Sequence, residues 1–248
     1  MEFHRLLPES GIVELGELLD SLRPAESAGT ERPYTIVNFV ASVDGRASIG
    51  GRSGPLGDDG DHAMFHGLRE RVDAVLAGTA TMRIERYGRI VRGEEPRRRR
   101  AARGLAAEPL AAVVTRSGEV PTDVPLFAEP ESRIVVFSPT ELNLTGCAAG
   151  VTAVRLDPGE LTLTTALRRL RADHGVRWLL CEGGPTLFGA LLHEGLVDEL
   201  FLTLAPKLAG GGRGPTISTG PELTEALGLR LAWLLERGGS LYARYLLG

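Results

Sequence analysis

Short apolar runs alternate with segments of helical period from residue 34 to residue 194, and then the helices stop. That change of rhythm constrains the fold more than any other feature of the chain. Tyr34–Ala41, Ala74–Ala77, Leu110–Thr115, Ile134–Phe137, Val151–Leu156 and Trp178–Cys181 read as strands, each a short β-rich or apolar run. Among them Asp58–Val72, Thr164–Asp173 and Pro185–Glu194 carry the spacing of amphipathic helices. Beyond them Glu199–Leu204, Leu229–Leu235 and Leu241–Leu246 read as strands joined by glycine-rich loops. Alternation predicts parallel strands covered by helices, and the helix-free end predicts antiparallel pairing. The expected architecture is α/β, three layers around one mixed, mainly parallel sheet with antiparallel C-terminal strands. Ahead of it, Ile12, Leu15, Leu18, Leu19 and Leu22 repeat at helical spacing, and Pro24–Thr30 reads as a linker. Residues 1–32 are therefore expected to be a helix and linker, and 33–248 a single domain.

Composition excludes several classes. Hydrophobic residues make up 43% and charged residues 24% of the 248, with 32 glycines and 15 prolines, which fits a globular chain and neither a fibrous nor a disordered one. No apolar run exceeds five residues, against the ~20 that span a bilayer, and MEFHRLLPES lacks a signal peptide's apolar core. A cytoplasmic location and no membrane partner are expected. Cys147 and Cys181 form no CxxC pair, so a disulfide framework and a cysteine-rich zinc site are both excluded, and each is expected as a buried apolar side chain. The net charge of −4 argues against a nucleic-acid partner. Nine arginines nevertheless fall between Arg83 and Arg103, including Arg97–Arg100, and these are expected as a solvated, mobile excursion.

Three loops at strand ends are candidates for chemistry. In Cys181-Glu182-Gly183-Gly184-Pro185-Thr186-Leu187 an apolar strand runs into two glycines and a proline suited to a first helical turn. Free backbone N–H groups at such a place bind phosphate with help from the helix dipole, although a tight strand-to-helix turn alone would also explain the glycines. Glu182 stands where open α/β sheets bind ligands, at the carboxyl ends of strands. Gly78-Thr79-Ala80-Thr81, with Glu85 four residues on, opens on the same crevice; Thr79 or Thr81 would equally serve as a helix cap. The third loop runs from Ala41 to Gly45 and on through Gly50 to Gly54, and is expected as a mobile flap. His62 and His66, four apart on a helix, lack the further ligands a metal needs and read as surface.

The stretches PYTIVNFVASVDGRASIGG, HGLRERVDAVLAGTATMRIE, CEGGPTLFGALL and GLVDELFLTLAPKLAGG resemble, in order and spacing, the reductase domain of bacterial riboflavin biosynthesis, which has the dihydrofolate reductase-like fold. The resemblance runs from Pro33 to Gly248. It omits the zinc deaminase domain that precedes the bacterial reductase, since residues 1–32 hold neither H-x-E nor P-C-x-x-C. A stand-alone reductase is implied, reducing a pyrimidine ribosylamine 5-phosphate to the ribitylamine with hydride from NADPH.

Carried over by residue, the resemblance implies cofactor contacts at Ala41, Thr79, Thr81, Gly183, Gly184, Pro185, Thr186 and Leu187. Arg116 and Ser117 would meet the adenosine 2′-phosphate, selecting NADPH by charge-assisted pairing. Substrate contacts are implied at Asn38, Ser53, Arg69, Arg92 and Glu182, with Arg69 and Arg92 on the sugar phosphate. Glu85 is the candidate proton donor if burial raises its pKa, with orientation of the cofactor as its alternative role. The chain departs from the bacterial pattern at Asn38, where a lysine is common, at Glu85 for aspartate, at Pro55 for tryptophan, and in RYGRIVR. Two other readings stay open: a reductase of the same fold acting on another imine or a pterin such as dihydrofolate, and a non-catalytic nucleotide-binding regulatory module. A homodimer is expected, with the apolar run Leu231–Leu235 offering an edge that a second copy would cover.

Overall fold

The computed structural model describes residues 1–248 except 23–28, 158, 161 and 213. The chain forms two compact units, one from Met1–Pro24, Thr35–Leu68 and Pro185–Gly248, the other from Ala25–Tyr34 and Arg69–Gly184. Residues 24–28 of the expected linker lie outside the described residues.

In the first unit β1 (Glu2–Leu7) pairs antiparallel with β2 (Gly11–Glu14) on one side and with β10 (Leu229–Arg237) on the other. β10 pairs with β11 (Ser240–Leu247), β11 with β9 (Glu199–Ala205), and β9 lies parallel to β3 (Tyr34–Ser42). Phe3 packs edge-on against Tyr242 with ring centroids 5.0 Å apart, and Phe201 against Trp233 at 5.6 Å. These buried aromatics tie the chain's first strand to its last.

Two expectations are corrected here. The helix predicted from Ile12 onward shrinks to α1 (Leu15–Asp20), because Pro8 and Gly11 turn the chain into a hairpin whose partner strand is already fixed on β10. Leu15, Leu19 and Leu22 keep their buried helical spacing, whereas Ile12 is 67% exposed. β1 therefore covers the apolar run of β10, and the open edge that argued for a dimer is absent there.

The first unit also holds α2 (Asp59–Arg69), apart from its last residue, and the later helix α7 (Pro185–His193). His62 and His66 are exposed on α2. The loop from Ala41 to Gly54 is pinned rather than loose. Asp44 accepts from the Ser42 hydroxyl and from the backbone N–H groups of Ala209 and Gly210, and Lys207 donates to the carbonyls of Pro55 and Leu56.

The second unit is a parallel sheet in the order β8 (Trp178–Cys181), β4 (Ala74–Leu76), β5 (Leu110–Val114), β6 (Arg133–Ser138), β7 (Gly150–Arg155). The central strands are continuous apolar runs, as burial on both faces demands, while β7 is largely exposed. The connecting helices are α3 (Thr79–Ile84), α4 (Glu94–Ala102), α5 (Pro125–Ala128) and α6 (Leu163–His174). α6 shows why its residues are helical. Thr162 caps its start by accepting from the Thr165 N–H, Leu163, Ala166, Leu167 and Leu170 bury one stripe, and Gly175 ends it in the left-handed region at φ 66°.

The Arg-rich excursion is corrected to a helix. In α4 the acids Glu94 and Glu95 occupy the first turn and Arg99 and Arg100 the last, which matches the helix dipole. Arg100 is fully buried. Cys181 is buried as expected and its thiol is pushed up to about 12 by burial, but Cys147 is only half-buried, on a loop.

Candidate active site

Because all five strands of the second unit run parallel, their carboxyl ends share one edge. That edge carries Gly78, Thr79 and Thr81 after β4, Arg116 and Ser117 after β5, and Glu182, Gly183 and Gly184 after β8. Arg69 and Tyr87 reach the same place from the segments entering and leaving β4 and α3.

The Glu182 carboxylate is 2% exposed and held on three sides. Arg69 donates Nε to Oε1 and Nη2 to Oε2, both at 2.6 Å, and the Tyr87 hydroxyl donates to Oε2 at 2.7 Å. The remaining nitrogen of Arg69, Nη1, donates to the Ile90 carbonyl at 3.0 Å. A carboxylate offers about four lone-pair sites, so one site on Oε1 remains to accept another donor. Desolvation works against the charge on Arg69, but the ion pair with Glu182 outweighs it and raises the guanidinium's pKa. Burial above all holds the Tyr87 phenol neutral, its pKa far above the tyrosine range. Arg69 was expected to grip a sugar phosphate; the structure commits its guanidinium to Glu182 and a carbonyl inside the unit instead.

Tyr87 reaches Glu182 through the end of α3. Glu85 caps that helix, Arg86 turns back in the left-handed region at φ 50°, and the Tyr87 N–H then closes onto the Met82 carbonyl. A non-glycine residue there costs about 1–2 kcal/mol, and the pairing of Arg86 with Asp123 at 2.8 Å helps to hold it. Glu85 itself is half-buried, and the burial expected of a proton donor is only partial.

The double-glycine turn differs from the expected cradle of free N–H groups. The Glu182 N–H donates to the Leu76 carbonyl, that of Gly183 lies against the Cys181 sulfur, and that of Gly184 donates to Thr81 Oγ1 at 3.0 Å. A Cβ on Gly184 would stand 2.8 Å from the same oxygen, so glycine is needed for this close approach. Thr81 accepts there with its lone pair and keeps its own O–H to give away. Gly78 faces open space, with nothing within 4 Å of a Cβ placed on it.

Arg116 is exposed and has no partner among the described residues, beside a hydroxyl pair in which Thr115 and Ser117 lie 3.4 Å apart. Arg92 is likewise exposed without a partner there. Hydroxyls and an unengaged guanidinium beside glycines that leave room for close approach suit a phosphorylated dinucleotide, and the second unit fits one on that count. The other expected positions belong to the first unit. There Asn38 sits mid-strand in β3 with its Oδ1 buried and unpaired, Ala41 is buried near the strand's end, Ser53 is half-buried, and Pro185, Thr186 and Leu187 form the first turn of α7. Among the described residues no three His, Cys, Asp or Glu side chains gather as a metal site, and no helix is long and apolar enough to cross a membrane.

Residues 33–241 match the family model described as the RibD C-terminal domain. The chain belongs to the RibD C-terminal domain family. A 2,5-diamino-6-ribosylamino-4(3H)-pyrimidinone 5′-phosphate reductase of Archaeoglobus fulgidus is 28% identical over 218 residues, covering 86% of this chain and 99% of that protein. The Aquifex aeolicus protein of the same name is 29% identical over 227 residues, covering 87% and 96%. Among solved structures, a pyrimidine reductase-like protein of Corynebacterium diphtheriae superposes with a TM-score of 0.76 at 24% identity over 95% of this chain and 99% of that one. The Saccharomyces cerevisiae riboflavin biosynthesis reductase Rib7 gives 0.71 at 16%, over 95% and 100%. These likenesses establish the RibD reductase fold, dihydrofolate reductase-like, as the family resemblance implied, with the mixed, mainly parallel sheet that the repeating strand pattern predicted.

Two site residues escaped the sequence reading. Tyr87 is the lone aromatic of RYGRIVR, and an aromatic amid arginines was signal enough to ask what it touches. Arg100 carried no signal, being one of four identical residues of which it alone is fully buried.

Proposed function

We propose that this chain reduces the ribosyl group of 2,5-diamino-6-ribosylamino-4(3H)-pyrimidinone 5′-phosphate to the ribityl group with NADPH, in riboflavin biosynthesis. The observation that carries the reading is the buried Glu182 carboxylate at the shared strand edge, in a chain whose relatives of that name are matched along nearly their whole length. Residues 33–248 act as the reductase domain, in the cytoplasm and as a homodimer whose interface the resemblance alone suggests.

NADPH, when bound, supplies hydride to the anomeric carbon of the opened sugar. Arg116 and Ser117 would hold its 2′-phosphate, and the Thr81 hydroxyl, Thr79 and the tight Gly183-Gly184 turn would take its phosphates and ribose, along with Ala41, Pro185, Thr186 and Leu187. Glu182 offers its remaining Oε1 site to a donor of the substrate, while Arg69 and Tyr87 hold that carboxylate in place. The Asn38 amide oxygen, buried without a donor, awaits an N–H such as the pyrimidine presents. Arg92, unengaged and exposed, takes the sugar phosphate in place of Arg69, and Ser53 is the further substrate contact that the resemblance implies. Glu85 delivers the proton, being the half-buried carboxylate that ends α3 beside the Gly78–Thr81 loop.

The test follows the near-ultraviolet absorbance of NADPH with purified protein. Loss of absorbance with the diamino ribosylaminopyrimidine phosphate, and none with dihydrofolate, is the expected result. Turnover of dihydrofolate alone would move the chain to the pterin reading, and cofactor binding without turnover to a regulatory one.

A further inference from the structure

Arg100 leads the large side chains that have no exposed surface among the described residues. Its Nη1 donates to the carbonyls of Arg69 at 2.7 Å and Val72 at 2.8 Å, and its Nε to that of Ala106 at 2.8 Å. Nη2 is buried without a partner, and no carboxylate forms an ion pair with the guanidinium among the described residues. Asp73, Glu108 and Glu70 act on it only at longer range, and Arg103 opposes them, so burial draws its pKa down to about 10. A cation stripped of water with no counter-ion is costly to keep. A leucine or methionine would fill the same interior without that cost, and so the three carbonyl contacts call for an explanation beyond packing.

Two of the three carbonyls it grips, those of Arg69 and Val72, belong to the turn between α2 and β4, and the third, that of Ala106, follows α4. The neighbouring Arg99 holds the same turn from outside, pairing both nitrogens with the Glu70 carboxylate at 2.8 and 2.7 Å. Two consecutive residues of α4 therefore fix the backbone from which the Arg69 side chain leaves for Glu182. Arg97 and Arg98 do not share in this, since they pair with Glu131 and Glu94 at the surface. We infer that Arg100 is a positioning residue of the reductase site: by clamping the Arg69 and Val72 carbonyls it sets the Arg69 guanidinium and, through it, the orientation of the Glu182 carboxylate toward substrate. The inference rests on the reading that Glu182 accepts from the pyrimidine phosphate. Lysine is a poor replacement, because one ammonium has no fork with which to hold the Arg69 and Val72 carbonyls, as Nη1 does, and at the same time reach the Ala106 carbonyl, as Nε does.

The test compares Arg100→Lys and Arg100→Met with wild type in the full chain. Nitrogen-15 spectra read the exchange of the Arg69 Nε–H, which the 2.6 Å bond to Glu182 protects. Steady-state kinetics with the ribosylaminopyrimidine phosphate and cofactor titration read the site. In Arg100→Lys the Arg69 Nε–H is expected to exchange about tenfold faster or more, and kcat/KM for the pyrimidine to fall about tenfold or more with NADPH affinity within about twofold. In a Glu182→Gln background the same substitution should add little, as for residues acting through one contact. A lower melting temperature with unchanged Nε–H exchange would overturn the proposal, as would full additivity with Glu182→Gln. Failure of both variants to fold would also overturn it, since Arg100 would then serve the unit's stability as a whole. Absence of turnover by wild type would remove the functional reading while the Nε–H measurement still decides what Arg100 holds.

Discussion

Tyr87→Phe removes one oxygen and leaves the ring, which makes it a clean probe of the Glu182 cluster. The ring keeps its place beside the Arg69 guanidinium, which lies 5.5 Å from the ring centroid, while the 2.7 Å bond to Oε2 is lost together with the hydroxyl's contact to Arg69. A hydrogen bond to a charged group contributes roughly 1.5–3 kcal/mol. Oε2 retains Arg69 Nη2 at 2.6 Å and is not orphaned, so the lower part of that range applies, about 1.5–2 kcal/mol. For a chain of this length that is a loss of about 3–8 °C in melting temperature near neutral pH. The pH dependence gives a second reading. The folded phenol holds its proton far above the ordinary tyrosine pKa, whereas the unfolded one gives it up near pH 10. Above about pH 10 the folded state therefore binds more protons than the unfolded, and stability falls with rising pH by up to about 1.4 kcal/mol per unit. Phe lacks that slope, so the gap between wild type and variant should close over about one pH unit above 10. Urea denaturation at neutral pH and thermal melts in alkaline buffers measure both. An unchanged neutral melting temperature, or an equal alkaline slope in the two proteins, would refute the reasoning.

If Arg116 pairs with the 2′-phosphate, Arg116→Ala should raise KM for NADPH about tenfold to a hundredfold and leave that for NADH nearly unchanged, because only NADPH carries the charge; equal small shifts would return Arg116 to the solvent. Gly184→Val forces the new side chain onto Thr81 Oγ1, 2.8 Å from the first added carbon, and should lower cofactor affinity about tenfold or more in a fluorescence titration. Asp44 is drawn down to about 2 chiefly by the Ser42 hydroxyl and by the N–H groups of Ala209 and Gly210. Its hold on the 209–210 backbone should be complete above the unfolded aspartate pKa and lost as pH falls through about 2, which the amide shifts of Ala209 and Gly210 would report.

The repeating strand and helix pattern was legible because its cause is local: β4, β8 and β5 are apolar on both faces, and α6 carries its own cap and stripe. What escaped depended on partners far away in the chain. Residues 2–14 have no strand pattern to outweigh the helical spacing of Ile12 to Leu22; they become a hairpin because β10, more than two hundred residues on, offers an edge. Arg69 and Glu182 were singled out as candidates, yet their partnership was not, since nothing in either segment says that a guanidinium 113 positions away will meet the carboxylate. Gly184 was singled out for a phosphate, while the neighbour its missing side chain makes room for, Thr81, lies 103 positions away and was not foreseen. Charge patterning misled at Arg100, because four arginines in a row look alike until a turn of helix sends one inward.

The pairing of β1 with β10 has a consequence for synthesis. As the ribosome extends the chain, the Met1–Pro24 and Thr35–Leu68 segments emerge early, but their unit cannot close until Pro185–Gly248 follows. Residues 69–184 belong to the other unit and can collapse meanwhile, their parallel strands joined by connections of modest length. During that interval β1, with Phe3 as its apolar anchor, has no β10 or Tyr242 to pack against. Long-range pairing of this kind is slow and leaves apolar strands open to other chains. The polar and charged residues Glu2, His4 and Arg5 interleaved along β1, and Glu14 at the end of β2, are then the chain's defence against clumping while it waits for its last strands.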